Sequence, residues 1–367
     1  MITSVILLVV GFGIPFGYFY LSKNPQFGGK LEKKEKKELS KSPQWKNGKF
    51  INASKTIMEM NLLSLPGFIS ERAKGKDTRE PKNPIEIKRS QLKAAVKGEK
   101  PSFIWFGHSV LLMQMEGVTM LIDPMFGEDA SPIGPWRTKR FSENSLQLIE
   151  DLPQLDIVLL THDHYDHLDF KSIRLLKSKV DLFLVPLGVA RHLIRWGVEK
   201  SMIVELDWWQ EVRYFNIDFI FTPSRHFSGR GVADRAKSLW GGYVLRSENH
   251  TMYWSGDSGY DTHFKEIGAK LGPFDWGFIE CGQYNQRWHQ IHMYPEEAVK
   301  AALDAGVQQA IPVHWGAFSL ALHSWTDPIE RFAAEANKRG QKFMSPEPGE
   351  MVSLGEEKSS EWWKKYM

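Results

Sequence analysis

The sequence predicts an α/β protein built from layers of strands and helices. Short runs rich in β-branched and aromatic residues begin near residue 102 and recur along the chain, and helical patterns separate several of them. Strands that alternate with helices are typical of layered α/β folds. With 367 residues, of which 42% are apolar and 25% charged, the chain is long enough to bury a large core and does not belong to the disordered class.

The individual elements follow from these patterns in chain order. The predicted strands are residues 103–106, 110–115, 118–122, 157–160, 182–185, 219–222, 242–245, 252–255 and 277–280. The predicted helices are residues 171–177, 188–196, 262–270, 295–305 and 328–338. Pro295 followed by two glutamates is typical of a helix N-terminus, because proline suits the first helical position and acids suit the first turn.

Residues 1–22 form an apolar segment without a charged side chain. About 20 such residues can cross the hydrocarbon core of a bilayer, which is about 30 Å thick. A cleaved signal peptide is the main alternative, but it usually begins with basic residues and ends at small ones. Here no lysine or arginine precedes the apolar run, and residues 18–21 are a poor cleavage context. We therefore favour a retained membrane anchor formed by an N-terminal helix.

A lysine-rich stretch follows the apolar segment at once, with six lysines between residues 23 and 37. The positive-inside rule places such a flank in the cytoplasm, so we expect a cytoplasmic main domain, although a solvated mixed-charge spacer would have the same composition. We divide the chain into an anchor at residues 1–22, a lysine-rich linker and extension at 23–100, the main domain at 101–355 and a C-terminal tail at 356–367.

Charge and cysteine content narrow the partners and the ligands. The formal net charge is only +3, and no basic stripe with interleaved aromatic residues is visible. We therefore expect no nucleic-acid partner. Cys281 is the only cysteine, so no disulfide can form within the chain, and a bound metal must be held by imidazole and carboxylate groups.

Four candidate metal ligands follow one predicted strand. The run at residues 157–160 is typical of a fully buried strand, and His162, His164, Asp166 and His167 come directly after it. In open α/β folds the ligand crevice lies at the carboxyl ends of the strands. Residues two apart in an extended backbone point the same way, so His162 and His164 can hold one ion while the other pair turns toward a second. Zinc binds imidazole and carboxylate at about 2.0–2.2 Å.

The spacing His-x-His-x-Asp-His at residues 162–167 resembles the motif of the metallo-β-lactamase superfamily. That resemblance implies an αββα sandwich, in which two mixed β-sheets pack face to face with helices outside. It also implies three further ligands, each at the end of a later strand. His226 would complete the first metal site, His314 would complete the second, and Asp257 would bridge the two ions.

Within the superfamily, the sequence is most similar to the N-acylphosphatidylethanolamine-hydrolysing phospholipase D group. The motifs that carry this resemblance are Trp105-Phe-Gly-His-Ser109, Asp123-Pro-Met-Phe126, Ala130-Ser-Pro-Ile-Gly-Pro135, Thr161-His-Asp-His-Tyr-Asp-His-Leu-Asp169, Gly256-Asp-Ser-Gly-Tyr260, His292-Met-Tyr-Pro-Glu-Glu-Ala298 and His314-Trp-Gly316. The likeness spans roughly residues 103–318, so residues 1–100 lie outside it. The apolar N-terminal segment departs from the group's mammalian-type members, which need no spanning helix.

The resemblance implies a dinuclear zinc phosphodiesterase that cleaves N-acyl-phosphatidylethanolamine-like phospholipids at a membrane. A hydroxide bridging two Zn²⁺ ions would attack phosphorus and release phosphatidic acid and an N-acylethanolamine. Asp166 would orient this hydroxide, and His292 would contact the phosphate in catalysis. His108 would also contact the substrate. Asp123 would hydrogen-bond a ligand histidine and fix its tautomer.

Several alternatives remain open at this point. Lactonases and other hydrolases of small polar substrates share the same His-x-His-x-Asp-His core, because the same hydroxide attacks carbonyl groups. A membrane-anchored metal-binding protein without catalysis would also keep the fold. Iron or manganese could replace zinc, as in a single-iron oxygenase, because imidazole and carboxylate also suit those metals. The acyl-chain preference and a homodimeric state stay open as well.

Overall fold

The computed structural model describes residues 17, 19–20, 23–58, 67, 70–72, 74, 76–90, 92, 100–132, 138–231, 233–358 and 360–367. Of the predicted membrane anchor at residues 1–22, only residues 17, 19 and 20 fall in these ranges, so that prediction lies outside the described residues. The described part of the chain contains no helix long and apolar enough to span a membrane. The motif at residues 130–135 also runs past the described range that ends at residue 132.

Two seven-stranded sheets form the centre of the fold. In chain order the strands are β1 Trp45–Lys46, β2 Lys49–Phe50, β3 Ser102–Trp105, β4 Leu111–Met115, β5 Val118–Ile122, β6 Leu155–Leu159, β7 Val180–Pro186, β8 Ile203–Leu206, β9 Glu211–Tyr214, β10 Ile217–Thr222, β11 Gly242–Arg246, β12 Thr251–Trp254, β13 Phe274–Glu280, β14 Val307–Val313, β15 Lys342–Phe343 and β16 Met351–Ser353. The first sheet has the order β16-β3-β4-β5-β6-β7-β8, and the second has the order β15-β14-β13-β12-β11-β10-β9. Strands β1 and β2 pair separately.

Both sheets are mixed, as the sequence resemblance predicts. In the first sheet β16, β3, β4 and β5 pair antiparallel, whereas β5 to β8 run parallel. In the second sheet β9 to β12 pair antiparallel and β12 to β15 run parallel. Each predicted strand coincides with an observed one. The predicted strands did not include β1, β2, β8, β9, β14, β15 and β16. In β9 the edge position exposes Glu211 and Arg213, which interrupt the apolar run.

The two sheets pack face to face through alternate residues of their strands. Phe103 of β3 points inward and meets Trp276 and Phe278 of β13 edge-on, with ring centroids 4.9 and 5.0 Å apart. Ile104, the next residue, belongs to a second buried cluster that includes Ile173 of a covering helix. Because successive side chains of a strand point to opposite faces, the first sheet buries one face against the other sheet and one face under helices.

Helices cover the outer faces of the sheets. In chain order they are α1 Lys33–Leu39, α2 Lys76–Arg79, α3 Leu148–Asp151, α4 Phe170–Leu176, α5 Ala190–Arg195, α6 His263–Leu271, α7 Pro295–Asp304 and α8 Asp327–Arg339. Short 3-10 helices span Pro25–Phe27, Ser145–Gln147, Lys200–Met202, Gln286–Trp288 and Trp362–Tyr366. Pro295 opens α7 with two acids in the first turn, as predicted. The predicted αββα sandwich is confirmed.

Part of the N-terminal extension packs directly on the main domain. The indole Nε1 of Trp196 donates to the Pro25 carbonyl at 2.8 Å, and Nε of Arg191 donates to the Gly29 carbonyl at 3.2 Å. Phe50 of β2 is 2% exposed and belongs to the core between the sheets. These contacts fasten segments on both sides of α1 to the body of the protein.

The C-terminal residues also pack into the core. Trp362 is 1% exposed, and its ring lies 6.2 Å from that of Trp105 and 5.3 Å from that of Trp315, measured between centroids. Trp363 is 3% exposed. Residues 356–367, predicted as a tail, thus end in two buried tryptophans that pack beside β3.

Replacing Trp362 by alanine should lower the free energy of unfolding by about 3–5 kcal/mol, because it leaves a cavity among packed aromatic rings. Trp362→Phe should retain most of the stability, since among the described residues the indole N–H has no hydrogen-bond partner to lose. Leu175→Ala, at a side chain that is 51% exposed, serves as the control. Urea denaturation followed by circular dichroism measures all three, and a loss below about 1 kcal/mol for Trp362→Ala would contradict the packing role.

Candidate metal centre

Polar side chains gather at one edge of the sandwich, where strands of both sheets end. In the first sheet β3, β5 and β6 run in the same direction. In the second sheet β10 and β12 run in the same direction because both are antiparallel to β11, and β13 and β14 are parallel to β12. The residues that follow the ends of these strands include His108, Asp123, His162, His226, Asp257 and His314.

Three imidazoles converge on one point. Nε2 of His162 lies 2.9 Å from Nδ1 of His164, and Nε2 of His226 lies 3.1 Å from the same atom. Oδ2 of Asp257 is 3.7 Å from Nε2 of both His162 and His226. Nitrogens bound to one tetrahedral zinc ion at about 2.0–2.1 Å lie about 3.3 Å apart. The spacing of this first group therefore fits one metal ion.

A second group contacts the same Asp257 carboxylate. Nε2 of His167 is 3.0 Å from Asp257 Oδ2 and 3.5 Å from Asp166 Oδ2. Nδ1 of His314 is 3.2 Å from Asp257 Oδ1. The two oxygens of one buried carboxylate thus face ligand candidates of both groups, as the bridging position predicted for Asp257 requires.

Several atoms of the two groups are buried and lack a hydrogen-bond partner among the described residues. They are Nε2 of His167, Nε2 of His314 and Oδ1 of Asp257. Buried polar atoms in native proteins are normally paired. Each of these nitrogen and oxygen atoms has a lone pair that can coordinate a metal ion. The residues present therefore fit a metal centre.

Burial keeps most of the imidazoles neutral. It lowers the pKa of His162, His226 and His314 well below 6.5 and lowers the pKa of His164 to about 4. Burial also raises the pKa of the Asp257 carboxyl to about 6, because a buried charge is costly. Neutral imidazole is the form that binds a metal ion, and a bound cation would favour the ionised carboxylate.

His167 differs from the other imidazoles. Burial works against its protonation, but the nearby carboxylates of Asp257, Asp166 and Asp123 together raise its pKa well above 6.5. Three carboxylates around one ring stabilise a positive charge at that ring, which either a proton or a metal ion can supply. Metal binding at this ring is therefore expected to release a proton.

Asp123 orients His167 from outside the two groups. Its Oδ2 accepts a hydrogen bond from Nδ1 of His167 at 2.8 Å, which leaves Nε2 facing the centre. The same carboxylate accepts from the amide of Thr161 at 2.8 Å and from its hydroxyl at 2.7 Å. This is the kind of contact that the sequence analysis predicts for Asp123.

His108 departs from its prediction as a substrate contact. The residue is 0% exposed, and its Nε2 lies 2.9 Å from Oδ2 of Asp166. A fully buried ring leaves no surface for a substrate, so His108 positions Asp166 instead. Burial lowers the pKa of His108 to about 4, and a neutral ring can donate its Nε2 proton to the carboxylate.

His292 lies beside both groups and is partly open to solvent. Its ring stacks on that of His314 with centroids 5.1 Å apart and meets His226 edge-on at 4.9 Å. Its Nδ1 is 3.1 Å from Oε2 of Glu280, a buried carboxyl whose pKa burial raises well above 4.5. The sequence analysis missed Glu280, although a charged residue that ends an apolar strand is the same signal that marked the other sites.

Asp163, which the sequence analysis also missed, faces away from the metal groups. Its carboxylate accepts hydrogen bonds from the Gly229 amide at 2.7 Å, from the Ser238 hydroxyl at 2.6 Å and from Nε2 of His192 at 3.2 Å. Nδ1 of His192 in turn accepts from the Gly29 amide at 3.1 Å. Alternation along the extended backbone turns Asp163 opposite to its two histidine neighbours, and that alternation could have identified it.

Arg230 holds the loop that carries the histidines. Its Nη1 donates to the carbonyls of Asp163 and Leu168 at 2.8 and 2.6 Å. Its Nε donates to the Gln26 carbonyl at 3.0 Å, and its guanidinium lies 4.1 Å over the ring of Tyr165. One buried cation thus joins this loop to the N-terminal extension.

Comparison with known proteins agrees with this geometry. A family model described as the β-lactamase superfamily domain matches residues 119–315. An uncharacterized protein of Mycobacterium tuberculosis is 37% identical over 331 residues, which cover 88% of each chain. The chain belongs to the metallo-β-lactamase superfamily. Within this superfamily it is a metal-dependent hydrolase with a His/Asp cluster that could bind metal.

Two further relatives refine this placement. The N-acyl-phosphatidylethanolamine-hydrolyzing phospholipase D 1 of Caenorhabditis elegans is 35% identical over 229 residues, which cover 59% of this chain and 64% of the worm protein. The solved structure of Igni18, described as a novel metallo hydrolase from Ignicoccus hospitalis, has a TM-score of 0.55 at 19% identity and covers 70% of this chain and 100% of that one. The first confirms the predicted resemblance, and the second supports the fold alone.

Replacing Asp123 by asparagine should weaken zinc binding about 10- to 100-fold. The amide oxygen can still accept from Thr161, but the NH₂ group then faces Nδ1–H of His167 and drives that ring to the tautomer with a proton on Nε2. Competition with a chromogenic chelator measures the affinity. Asp156→Asn is the control. Its carboxylate accepts from the Thr119 amide at the ends of β5 and β6 that lie away from the metal centre, so the variant should bind zinc with the wild-type affinity. Equal affinities for the wild type and D123N would contradict the orienting role.

The Asp163 carboxylate should make stability depend on pH. Burial alone raises its pKa, but the hydrogen bond from His192 and the charge of Arg191 lower the pKa far below 3.8. The ionised group therefore stabilises the fold above its unfolded pKa of about 3.9, and this contribution is lost as the pH falls toward the folded pKa. Asp163→Asn should lower the free energy of unfolding by about 3 kcal/mol at pH 7, and the difference from wild type should shrink below about pH 4.

Urea denaturation of chelator-treated protein between pH 3 and pH 7 measures this dependence. Asp181→Asn changes an exposed carboxylate that accepts from the Gln154 amide at 3.2 Å, so it should shift stability by less than about 0.5 kcal/mol at every pH. A difference between wild type and D163N that stays constant across the range would contradict the depressed pKa.

Proposed function

We propose that the protein is a zinc-dependent phosphodiesterase of the phospholipase D type that hydrolyses N-acyl-phosphatidylethanolamine-like phospholipids. The observation that carries this proposal is the Asp257 carboxylate, whose Oδ2 lies 3.0 Å from His167 Nε2 in one group and 3.7 Å from His162 Nε2 in the other. A carboxylate between two imidazole groups suits a pair of metal ions. The likeness to the worm phospholipase D supports the phospholipid class.

The ligand assignment follows the two groups. In this proposal the first ion is held by His162, His164 and His226, the second by Asp166, His167 and His314, and both by Asp257. Imidazole and carboxylate also bind iron and manganese, so the identity of the metal as zinc is part of the proposal.

The residues around the ions would have separate roles in the reaction. Zinc held by these residues would lower the pKa of a water to about 7 and polarise the phosphoryl oxygens. Asp166, held by His108 at 2.9 Å, would accept a hydrogen bond from that water and keep it aimed at phosphorus. Burial favours the protonated form of Glu280, whose hydroxyl can donate to Nδ1 of His292 at 3.1 Å. The ring then carries its own proton on Nε2, which would donate to a phosphoryl oxygen, on which negative charge grows in the transition state. In the overall step the water oxygen would form the new bond to phosphorus, the P–O bond to the N-acylethanolamine oxygen would break, and a proton of the water would end on the released alcohol.

The cellular setting stays a prediction. A membrane anchor at residues 1–22 would suit a phospholipid substrate, because tethering raises the effective concentration of a two-dimensional substrate. The cytoplasmic location of the main domain and a homodimeric state are likewise predictions. Partition of the chain between membrane and supernatant tests the predicted membrane anchor.

Full-length protein loaded with zinc should convert N-acyl-phosphatidylethanolamine in detergent micelles to equal amounts of phosphatidic acid and N-acylethanolamine, detected by mass spectrometry. Asp257→Asn should lower kcat/KM roughly 1,000-fold, because loss of the bridging carboxylate removes several kcal/mol of metal-based stabilisation. Elemental analysis should find two zinc ions per wild-type chain and fewer in D257N. Circular dichroism should show an intact fold for both.

Asp275→Asn serves as the matched control. Its carboxylate accepts from the Thr251 amide at 2.8 Å at the far end of β13, so the variant should keep full activity and zinc content. Turnover of a lactone panel without phospholipid turnover would replace the proposal by a lactonase. Chains that stay free of metal after purification in zinc buffer would favour a binding protein without catalysis.

A further inference from the structure

A cavity of about 770 Å³ opens beside the candidate metal centre. One wall is formed by residues 49–56 and 58 of the N-terminal extension, and the other by domain residues that include Phe227, Arg235 and Trp240. His226, one of the proposed ligands, also lines the cavity. The space therefore adjoins the proposed reaction site and is large enough for a substituent of the substrate.

The charges on the wall of this cavity all have the same sign. Among the described residues its lining includes Lys49, Lys55 and Arg235 but no aspartate or glutamate. All three side chains are exposed to solvent. None of the three forms an ion pair with a carboxylate of the described residues, and their charge makes the cavity attractive to an anionic group.

The Arg235 guanidinium is held in place without being neutralised. It lies 4.1 Å over the ring of Phe227, and its Nη2 is 2.8 Å from Sδ of Met58, which is a weak acceptor. The neighbouring Asp234 instead accepts from the Gly231 amide at 2.6 Å. In the described ranges no carboxylate forms an ion pair with Arg235, and burial lowers its pKa, although a guanidinium stays charged at neutral pH.

One aromatic ring separates Arg235 from the metal centre. The Phe227 ring, over which the Arg235 guanidinium lies, also contacts the rings of His164 and His226. The centroid distances are 4.4 and 5.0 Å. Only the Phe227 ring therefore lies between the guanidinium and a phosphodiester bound at the centre. A group attached to that phosphodiester could reach it.

We infer that this cavity binds a carboxylate carried by the head group of the substrate beside the scissile phosphodiester, and that Arg235 selects it. The inference rests on the proposed function, because it takes a phosphodiester at the centre as given. Guanidinium pairs with carboxylate through two parallel hydrogen bonds, and Lys49 and Lys55 add charge at the cavity wall. N-acyl-phosphatidylserine has this chemistry, since it differs from N-acyl-phosphatidylethanolamine only by a head-group carboxylate.

Turnover of these two lipids in neutral detergent micelles tests the inference. The full-length zinc protein should show a higher kcat/KM for the serine lipid, and Arg235→Gln should lower the ratio of the two kcat/KM values about tenfold or more, as expected for a lost hydrogen bond to a charged group. Arg235→Lys should keep part of the preference, because it keeps the charge but loses the paired geometry. Arg213→Gln, at an exposed arginine that pairs with Asp218 at 3.3 Å outside the cavity, should leave the ratio unchanged.

A binding measurement separates failure of this inference from failure of the proposed function. Isothermal titration calorimetry compares N-acetyl-O-phosphoserine with N-acetyl-O-phosphoethanolamine on the zinc-loaded wild type and R235Q. An Arg235-dependent preference for the serine compound without any lipid turnover would support the carboxylate site and contradict the phosphodiesterase. Equal binding of the two compounds by the wild type, or the same preference in R235Q, would overturn the inference even if N-acyl-phosphatidylethanolamine is hydrolysed.

Vesicles distinguish the substrate carboxylate from an anionic membrane surface. If Arg235 bound anionic lipids of the bilayer, R235Q would slow both substrates alike on vesicles that contain phosphatidylglycerol and would leave the ratio in micelles unchanged. That result would overturn the inference. A loss of preference that is the same in micelles and in phosphatidylcholine vesicles would support it.

Discussion

The contact on which the site depends is the meeting of one buried carboxylate with imidazoles from both sheets. Asp257 is 3% exposed and lies within 3.7 Å of His162, His167, His226 and His314. A carboxylate taken out of water is costly unless positive charge and hydrogen bonds surround it. A cation shared by the surrounding rings meets this requirement, and only a sandwich whose strands end at a common edge brings the rings together.

The framework holds these groups in place with its own backbone. His108, Asp123 and His314 have φ values of 54°, 42° and 67°, which cost non-glycine residues on the order of 1 kcal/mol or more each. Backbone hydrogen bonds offset that cost, since the His108 amide donates to the Trp315 carbonyl at 2.7 Å and the His314 amide donates to the His108 carbonyl at 2.9 Å. These three left-handed residues lie where the chain turns toward the centre, so the backbone contributes to the geometry of the site.

The N-terminal extension contributes to the site as well as preceding it. The side chain of Asn52 donates to the His226 carbonyl at 2.8 Å and accepts from the His226 amide at 3.1 Å. The Gly29 amide reaches the opposite side of the histidine loop through His192. The same extension forms one wall of the cationic cavity. A segment outside the predicted family resemblance therefore shapes the surroundings of residues inside it.

The sequence alone determined the α/β class and the four ligand candidates at residues 162–167, because buried strands appear as local apolar runs and these candidates directly follow one of them. The αββα sandwich and the later ligand candidates His226, Asp257 and His314 came from the resemblance to the metallo-β-lactamase superfamily. Only the tertiary structure decided the parts that depend on remote contacts. His108 meets Asp166 across 58 residues, and Arg235 lies opposite a cavity wall formed by residues 49–56 and 58. Periodicity reports which way a side chain points within its own element. It carries no information about which loops packing brings together, so the partners of Glu280 and Asp163 and the cavity became visible only in the folded chain.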